Sequence, residues 1–383
     1  MADLVTPEGA GAKPVDVAAI ERELAGLWAD PAARSGEEAA PGADAVTRAC
    51  MSNLVIWCGS PEEARDLPSE IGAIVEKHPA RVLLLVGDAR GASPGLEASV
   101  TAVCHVAGPE RGRVCSEHVT LEAGRDAERS LPPTVRALLI GDLPSALWWT
   151  SAEPPPGGGA LFQELASMVD HVIWDSAGWS DPVRGMLTVT EWAAAAGAVR
   201  TGAMQGLLSD LAWRRLKPWR WMVSQALDPR LEPFALRSLE EIEIEHGPHA
   251  LPHAWFLIGW LASRLGWLPR GGKVAPGVEI DFGFDTEAGP IVARACRLGE
   301  GAAEVARVRI AWREGGTRRE ATFSRAGADR LEAALDAAPP RLLAAPRLPR
   351  AALVARQLPK RFRDPVFRES LALARAMAET LSS

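Results

Sequence analysis

Tyrosine is absent from the 383 residues, so aromatic contact falls to 14 tryptophans and 8 phenylalanines. Tryptophan combines a large apolar area with one N–H donor and serves cores and interfaces alike. Cysteine is scarce: there are five, an odd number, with no Cys-x-x-Cys pair. That excludes a paired-cysteine metal or thiol-exchange motif and fits a reducing compartment better than a disulfide framework. Cys58 and Cys104 sit in apolar runs and are expected to be buried, inert thiols. No stretch reaches 18 uninterrupted apolar residues, and Met1 to Asp16 has no apolar core behind a basic flank, so neither a membrane span nor a secretory leader is expected. The expected location is the cytoplasm. Excess positive charge is missing as well. A formal net charge of -7 gives phosphate backbones no general attraction, and nucleic acid is not an expected partner.

Motifs that carry chemistry are equally thin. A dinucleotide loop needs Gly-x-Gly-x-x-Gly after its first strand, but Cys58 is followed only by Gly59-Ser60-Pro61. Gly271-Gly272-Lys273 is followed by valine and lacks the preceding glycine of a Walker A loop. Gly157-Gly158-Gly159 could offer backbone N–H groups to a phosphate, yet Pro154 to Pro156 directly ahead make a flexible turn the simpler reading. His246, His249 and His253 near Glu241, Glu243 and Glu245 have metal-ligating chemistry. Pro248 and Pro252 break the helix that would align those histidines, so solvated loop histidines are expected. No catalytic, cofactor-binding or metal-ligating residue is assigned, and no cofactor is expected.

What is present is ordinary globular chain. Hydrophobic and charged fractions of 47% and 24% match folded domains, and the length suggests two of them. Residues 1–45 read as an amphipathic helix and a flexible linker. Val17, Ile20, Leu24 and Leu27 recur at helical spacing, and Pro31 to Ala45 is rich in Ala, Gly, Glu and Pro without periodicity.

Residues 46–202 read as an α/β domain. Asn53 to Cys58, Val82 to Val86, Val100 to Ala107, Val114 to Leu121, Ala146 to Thr150 and Val172 to Asp175 are strand candidates, most of them followed by helical segments. Such alternation predicts a Rossmann-like doubly wound mixed sheet. Residues 203–383 read as a helical bridge plus a C-terminal α+β domain with an antiparallel sheet and flanking helices. In the bridge, one helix ends before Pro218 and another starts there; Ala254 to Leu265 is apolar almost all round, as a buried helix is. Val278 to Phe284, Ile291 to Leu298, Ala303 to Trp312 and Thr317 to Phe323 suggest an antiparallel meander. Asp329 to Ala337 and Arg363 to Leu381 are expected to be helical, with Pro339 to Lys360 as a Pro-rich basic connector.

Two aromatic and basic segments remain as candidate sites. Trp148 and Trp149 end a predicted strand, where α/β proteins commonly bind ligands. Asp210, Trp213, Arg214, Trp219 and Arg220 cluster about Pro218, with Asp210 and Arg214 at the i,i+4 spacing of an ion pair. Interface anchors favour Trp and Arg, and core packing uses the same Trp, so these seven residues are candidates for a partner or interdomain interface.

The sequence at these segments resembles the glucose-6-phosphate dehydrogenase assembly protein family, OpcA. The resemblance lies in HPARVLLLVGD (His78 to Asp88), GDLPSALWWT (Gly141 to Thr150), SDLAWRRLKPWRWMV (Ser209 to Val223) and FLIGWLASRLGW (Phe256 to Trp267), in that order. It implies a non-catalytic partner of glucose-6-phosphate dehydrogenase in the oxidative pentose phosphate pathway, acting as an assembly factor or allosteric activator. The alternative is a sugar-phosphate or nucleotide-binding enzyme on the α/β domain, for which a basic pocket at the strand ends would speak.

Overall fold

The computed structural model describes residues 3–5, 13–28, 46–88, 95–106, 113–155, 159–199, 206–274 and 279–382. The expected linker, Pro31 to Ala45, and Gly157-Gly158 lie outside them.

Two sheets organise the chain. In the first, continuous apolar runs form β4 (Asn53–Cys58) and β5 (Arg81–Asp88), joined by β7 (Arg113–Gly124), β8 (Ser145–Trp149), β9 (His171–Trp174) and β10 (Leu207–Asp210). These six run parallel in the spatial order β7-β5-β4-β8-β9-β10. Numbered along the chain, that is the 3-2-1-4-5-6 order of dinucleotide-binding sheets, with the switch point between β4 and β8. Antiparallel β6 (Leu96–Val106) pairs with β7, and the short β1 (Asp3–Val5), β2 (Lys13–Pro14) and β3 (Val46–Arg48) complete that edge.

Alternate residues of β4 and β5 enter different layers, because successive strand side chains face opposite ways. Leu54, Ile56, Val82 and Leu84 pack with Ile71, Ile74 and Val75 of a helix over Leu67–Lys77. Val55, Trp57, Leu83 and Leu85 join the larger core, which continues without interruption into the second half of the chain. Helix α1 (Val17–Leu27) buries Ile20 and Leu24 there, as its periodicity predicts. A buried polar knot also holds it. Glu117 accepts from Arg81 at 2.7 Å and from Trp28 Nε1 at 3.0 Å and pairs with Arg48 at 2.7 Å, while Arg81 reaches Glu21 of α1 at 2.8 Å.

The second sheet has eight strands in the order β12-β13-β14-β11-β15-β16-β17-β18. They are β11 (Leu239–His246), β12 (Leu268–Val274), β13 (Glu279–Thr286), β14 (Gly289–Arg297), β15 (Val305–Glu314), β16 (Thr317–Arg325), β17 (Arg330–Leu335) and β18 (Arg341–Ala344). All neighbours are antiparallel except β11 and β14. Helices over Leu251–Leu265 and Pro365–Leu381 pack with one another and against this sheet. Gly259 makes their approach possible: a Cβ there would lie 2.8 Å from the carbonyl oxygen of Ser370.

Four expectations are corrected. Asp329 to Ala337 contains strand β17 and not a helix, because β16 and β18 hydrogen-bond to it on both sides. The connector Pro339 to Lys360 contains β18 and a helix over Arg350–Ala355. His246 and His253 are buried and not solvated: His246 ends β11, and Pro252 occupies the first turn of the helix that carries His253. Proline is tolerated in that position because it has no N–H to leave unpaired. Cys104 is no free thiol. It is bonded to Cys115, its direct partner across the β6–β7 ladder. Cys58 does behave as expected, since burial pushes its thiol up to about 12.

Candidate functional site

Loops at the carboxyl ends of β4 and β8 would form the nucleotide crevice of this strand order. Here aromatic side chains pack close to these strand ends. Trp57, one residue before the end of β4, and Trp149, the last of β8, have ring centroids 5.6 Å apart, and Phe162 meets Trp149 edge-on at 5.2 Å. A Cβ on Gly87 would lie 2.9 Å from Trp57 Cη2, so the neighbouring strand has no spare room. The loop itself carries its own anion. Gly59 N–H donates to Glu63 Oε2 at 2.7 Å, and Ser60 Oγ caps the helix by accepting from Glu63 N–H at 3.2 Å. A carboxylate thus occupies the backbone donor that a phosphate would use.

The second cluster lies at the carboxyl ends of β9 and β10. Asp210 closes β10 with extended backbone and caps a helix over Leu211–Arg215. Its buried carboxylate accepts from Trp174 Nε1 at 2.9 Å, Ser176 N–H at 3.1 Å and Ala212 N–H at 2.8 Å. Burial and the neighbouring Asp175 push this carboxyl up to about 7, and the hydrogen bonds from Ser176 and Ala212 pull the other way. The expected Asp210–Arg214 ion pair does not form. Residue 210 precedes the helix, so i,i+4 spacing does not align the pair, and Arg214 binds Asp364 at 2.9 Å instead.

Asp364 is the hinge point of the seam. It caps the C-terminal helix by accepting from Phe367 N–H at 3.0 Å and also accepts from Trp213 Nε1 at 3.1 Å. Trp213, Phe256 and Phe367 pack mutually with centroids within 6.0 Å, tying the bridge to both helices of the second half. After Leu216 a new helix over Lys217–Ala226 begins, with Pro218 in its first turn. Arg220 from it lies over the Trp213 ring at 3.4 Å and donates to Trp213 O at 2.9 Å. Burial pushes Arg220 down to about 9, so it remains charged at neutral pH. Arg215 binds Asp175 through two contacts of 2.6 Å.

Trp148, Trp149, Trp213 and Trp219 are all buried within one chain. Their contacts within this chain are with its own residues, so of the two roles expected, partner or interdomain interface, burial accords with the second. Asp210, Trp213, Arg214, Trp219 and Arg220 come together around the seam; Trp148 and Trp149 lie apart on β8, facing opposite layers. Sequence reasoning missed Asp364, whose position just before Pro365 is a helix-cap signal, and Asp175, Lys217 and Lys360. It also missed Trp221, 53% exposed on the same helix as buried Trp219. No group of histidines, cysteines and carboxylates among the described residues is arranged to hold a metal ion, and no described helix is long and apolar enough to cross a membrane.

Strand order, two sheets and a shared core define an α/β protein with a Rossmann-like first sheet. Family comparison is more specific. Residues 72–191 match the model described as glucose-6-phosphate dehydrogenase subunit N-terminal domain, and residues 207–371 match the corresponding C-terminal domain. The chain belongs to the glucose-6-phosphate dehydrogenase assembly protein (OpcA) family. It is 33% identical over 197 residues to the OpcA protein of Nostoc punctiforme, covering 51% of this chain and 40% of that one. With the OpcA protein of Synechocystis it shares 30% over 208 residues, 54% of this chain and 41% of that one. Both are named for the OxPP cycle, and the matches span about two fifths of their length. A crystal structure of glucose-6-phosphate 1-dehydrogenase from Mycobacterium avium superposes with a TM-score of 0.53, covering 88% of this chain and 92% of that one at 11% identity. The two share a fold.

Proposed function

We propose that this chain is a non-catalytic assembly factor or allosteric activator that binds glucose-6-phosphate dehydrogenase. The observation that supports it most is the pair of family matches, each described as a subunit domain of that enzyme and together reaching from residue 72 to residue 371. The contacts at the ends of β4 and β8 agree with it, since Trp57 packs on Trp149 and Glu63 takes the Gly59 N–H that a phosphate would use. Activation then needs only differential affinity: about 1.4 kcal/mol of preference for the active state raises its population relative to the inactive one tenfold.

Trp221 is the better candidate anchor in the bridge, because it is exposed where Trp219 is not. Trp221→Ala is expected to weaken the complex about tenfold or more while leaving the chain's unfolding midpoint in place. The general test mixes the purified chain with the dehydrogenase of the same organism and records turnover. A rise in turnover supports the reading; an unchanged rate with no complex opposes it.

The cytoplasm is the proposed location. Disulfides are uncommon there, so the Cys104–Cys115 bond makes the placement testable. Fractionation of intact cells should recover the chain with cytosolic enzymes; recovery from an oxidising compartment would contradict the placement and would accord with the Cys104–Cys115 bond.

A further inference from the structure

The chain is acidic overall, yet a cavity of about 710 Å³ beside the seam is lined by eight Arg or Lys side chains and two carboxylates. Like charges gathered in a partly desolvated space repel one another unless an anion offsets them. Some of this charge is met within the chain: Arg215 is held by Asp175, and Arg347 by Glu304. The rest is not. Arg214, Lys217, Arg220 and Lys360 share a single lining carboxylate, Asp364, which already accepts from Trp213. Lys217 and Lys360 have no side-chain hydrogen bond or ion pair with a described residue. Arg214 and Arg325 each keep a buried Nε with no acceptor.

A second observation points to a ligand with hydroxyl groups. His253 is 1% exposed and lines the same cavity, with neither ring nitrogen bonded to the protein. Burial pushes it down to about 3, so it is a neutral imidazole, able to donate through one nitrogen and accept through the other. Gln357, also lining the cavity, is oriented by Leu353 O and Ser209 Oγ. The volume is that of a small-molecule site and far exceeds one phosphate group.

We propose that this cavity binds a small phosphorylated metabolite of sugar-phosphate size, with Arg214, Lys217, Arg220 and Lys360 offsetting the phosphate and His253 and Gln357 available to its hydroxyl groups. A dianion matches a cluster in which four cations face one carboxylate better than a single carboxylate ligand would. The proposal rests on the cavity and not on the dehydrogenase reading. Phosphate binding is measured on this chain alone, so either can fail without the other.

Isothermal titration calorimetry of the full chain at neutral pH, with glucose 6-phosphate, inorganic phosphate and glucose as probes, decides it. The expected result is saturable binding of glucose 6-phosphate, inorganic phosphate weaker by about tenfold or more, and no heat with glucose. Lys217→Gln with Lys360→Gln should weaken binding by about tenfold or more without lowering the thermal midpoint, since removing unpaired like charges does not unmake a contact. No binding of either phosphate up to about 10 mM overturns the proposal. So does an unchanged affinity in the double variant, and equal affinity for inorganic phosphate overturns the sugar-phosphate assignment. If the phosphates fail while added dehydrogenase protects Lys217 from acetylation, the cavity takes an acidic protein segment and the proposal is wrong.

Discussion

At the scale of single residues, the buried polar groups decide more than the tryptophans that draw attention in the sequence. Asp210→Ala would leave three N–H donors without an acceptor and is expected to cost about 3 kcal/mol or more in urea unfolding. Asp210→Asn keeps one carbonyl oxygen and should cost less. A result in which both variants match the parent would contradict the cap-and-anchor role. Lys360 gives a pH signature. Burial, with Arg214, Lys217 and Arg220 nearby, pushes it down to about 8, and Asp364 only partly compensates. Its folded value lies below its unfolded one, so its charge destabilises the fold below about 8, and that cost fades as pH rises towards the unfolded value. Lys360→Gln should therefore raise the melting temperature at pH 7, with the gain shrinking between pH 8 and 10. None of this was legible in the sequence, where Lys360 is one basic residue in a Pro-rich run and Asp364 lies 150 positions from Arg214.

At the scale of elements, long apolar runs told most and mixed runs told least. The strands at Asn53–Cys58 and Arg81–Asp88 and the helix at Leu251–Leu265 follow from hydrophobic continuity alone. Leu239–His246 has alternating Glu and Ile, the period of a half-buried strand, but with only two Ile among four Glu it is not among the expected strands, and its histidine was expected in a solvated loop. Arg330–Leu335 is Ala- and Leu-rich and favours a helix locally; pairing on both edges overrides that weak preference. Two tests belong here. Gly259→Ala gains about 1 kcal/mol of helix propensity but places a Cβ 2.8 Å from Ser370 O, and forcing the helices apart costs about 1–3 kcal/mol. Net destabilisation is expected in chemical unfolding. Glu117→Gln removes the charge shared by Arg81 and Arg48 and is expected to cost about 3–5 kcal/mol. Hydrogen exchange over Val17–Leu27 should speed up with it, because Arg81 links that helix to Glu117.

At the scale of the whole molecule, the sequence conveyed the class of fold and the family but not the relation between the halves. The doubly wound sheet was readable from runs and turns, and so were the four strands from Glu279 to Arg325 of the second sheet. Their joining was not, because Trp213, Phe256 and Phe367 come from distant segments that only the folded chain brings together. The seam they form carries the cationic cavity on one side and the exposed Trp221 on the bridge helix. The proposed partner rests on family membership, and the crowded strand ends agree with a role in binding: Trp57 packs on Trp149, and the Glu63 carboxylate takes the Gly59 N–H. Sedimentation velocity of the labelled chain, titrated with glucose-6-phosphate dehydrogenase from the same organism, tests that claim most directly. The account predicts a faster-sedimenting complex that saturates with added enzyme; a sedimentation coefficient unchanged up to about 10 μM enzyme would contradict it.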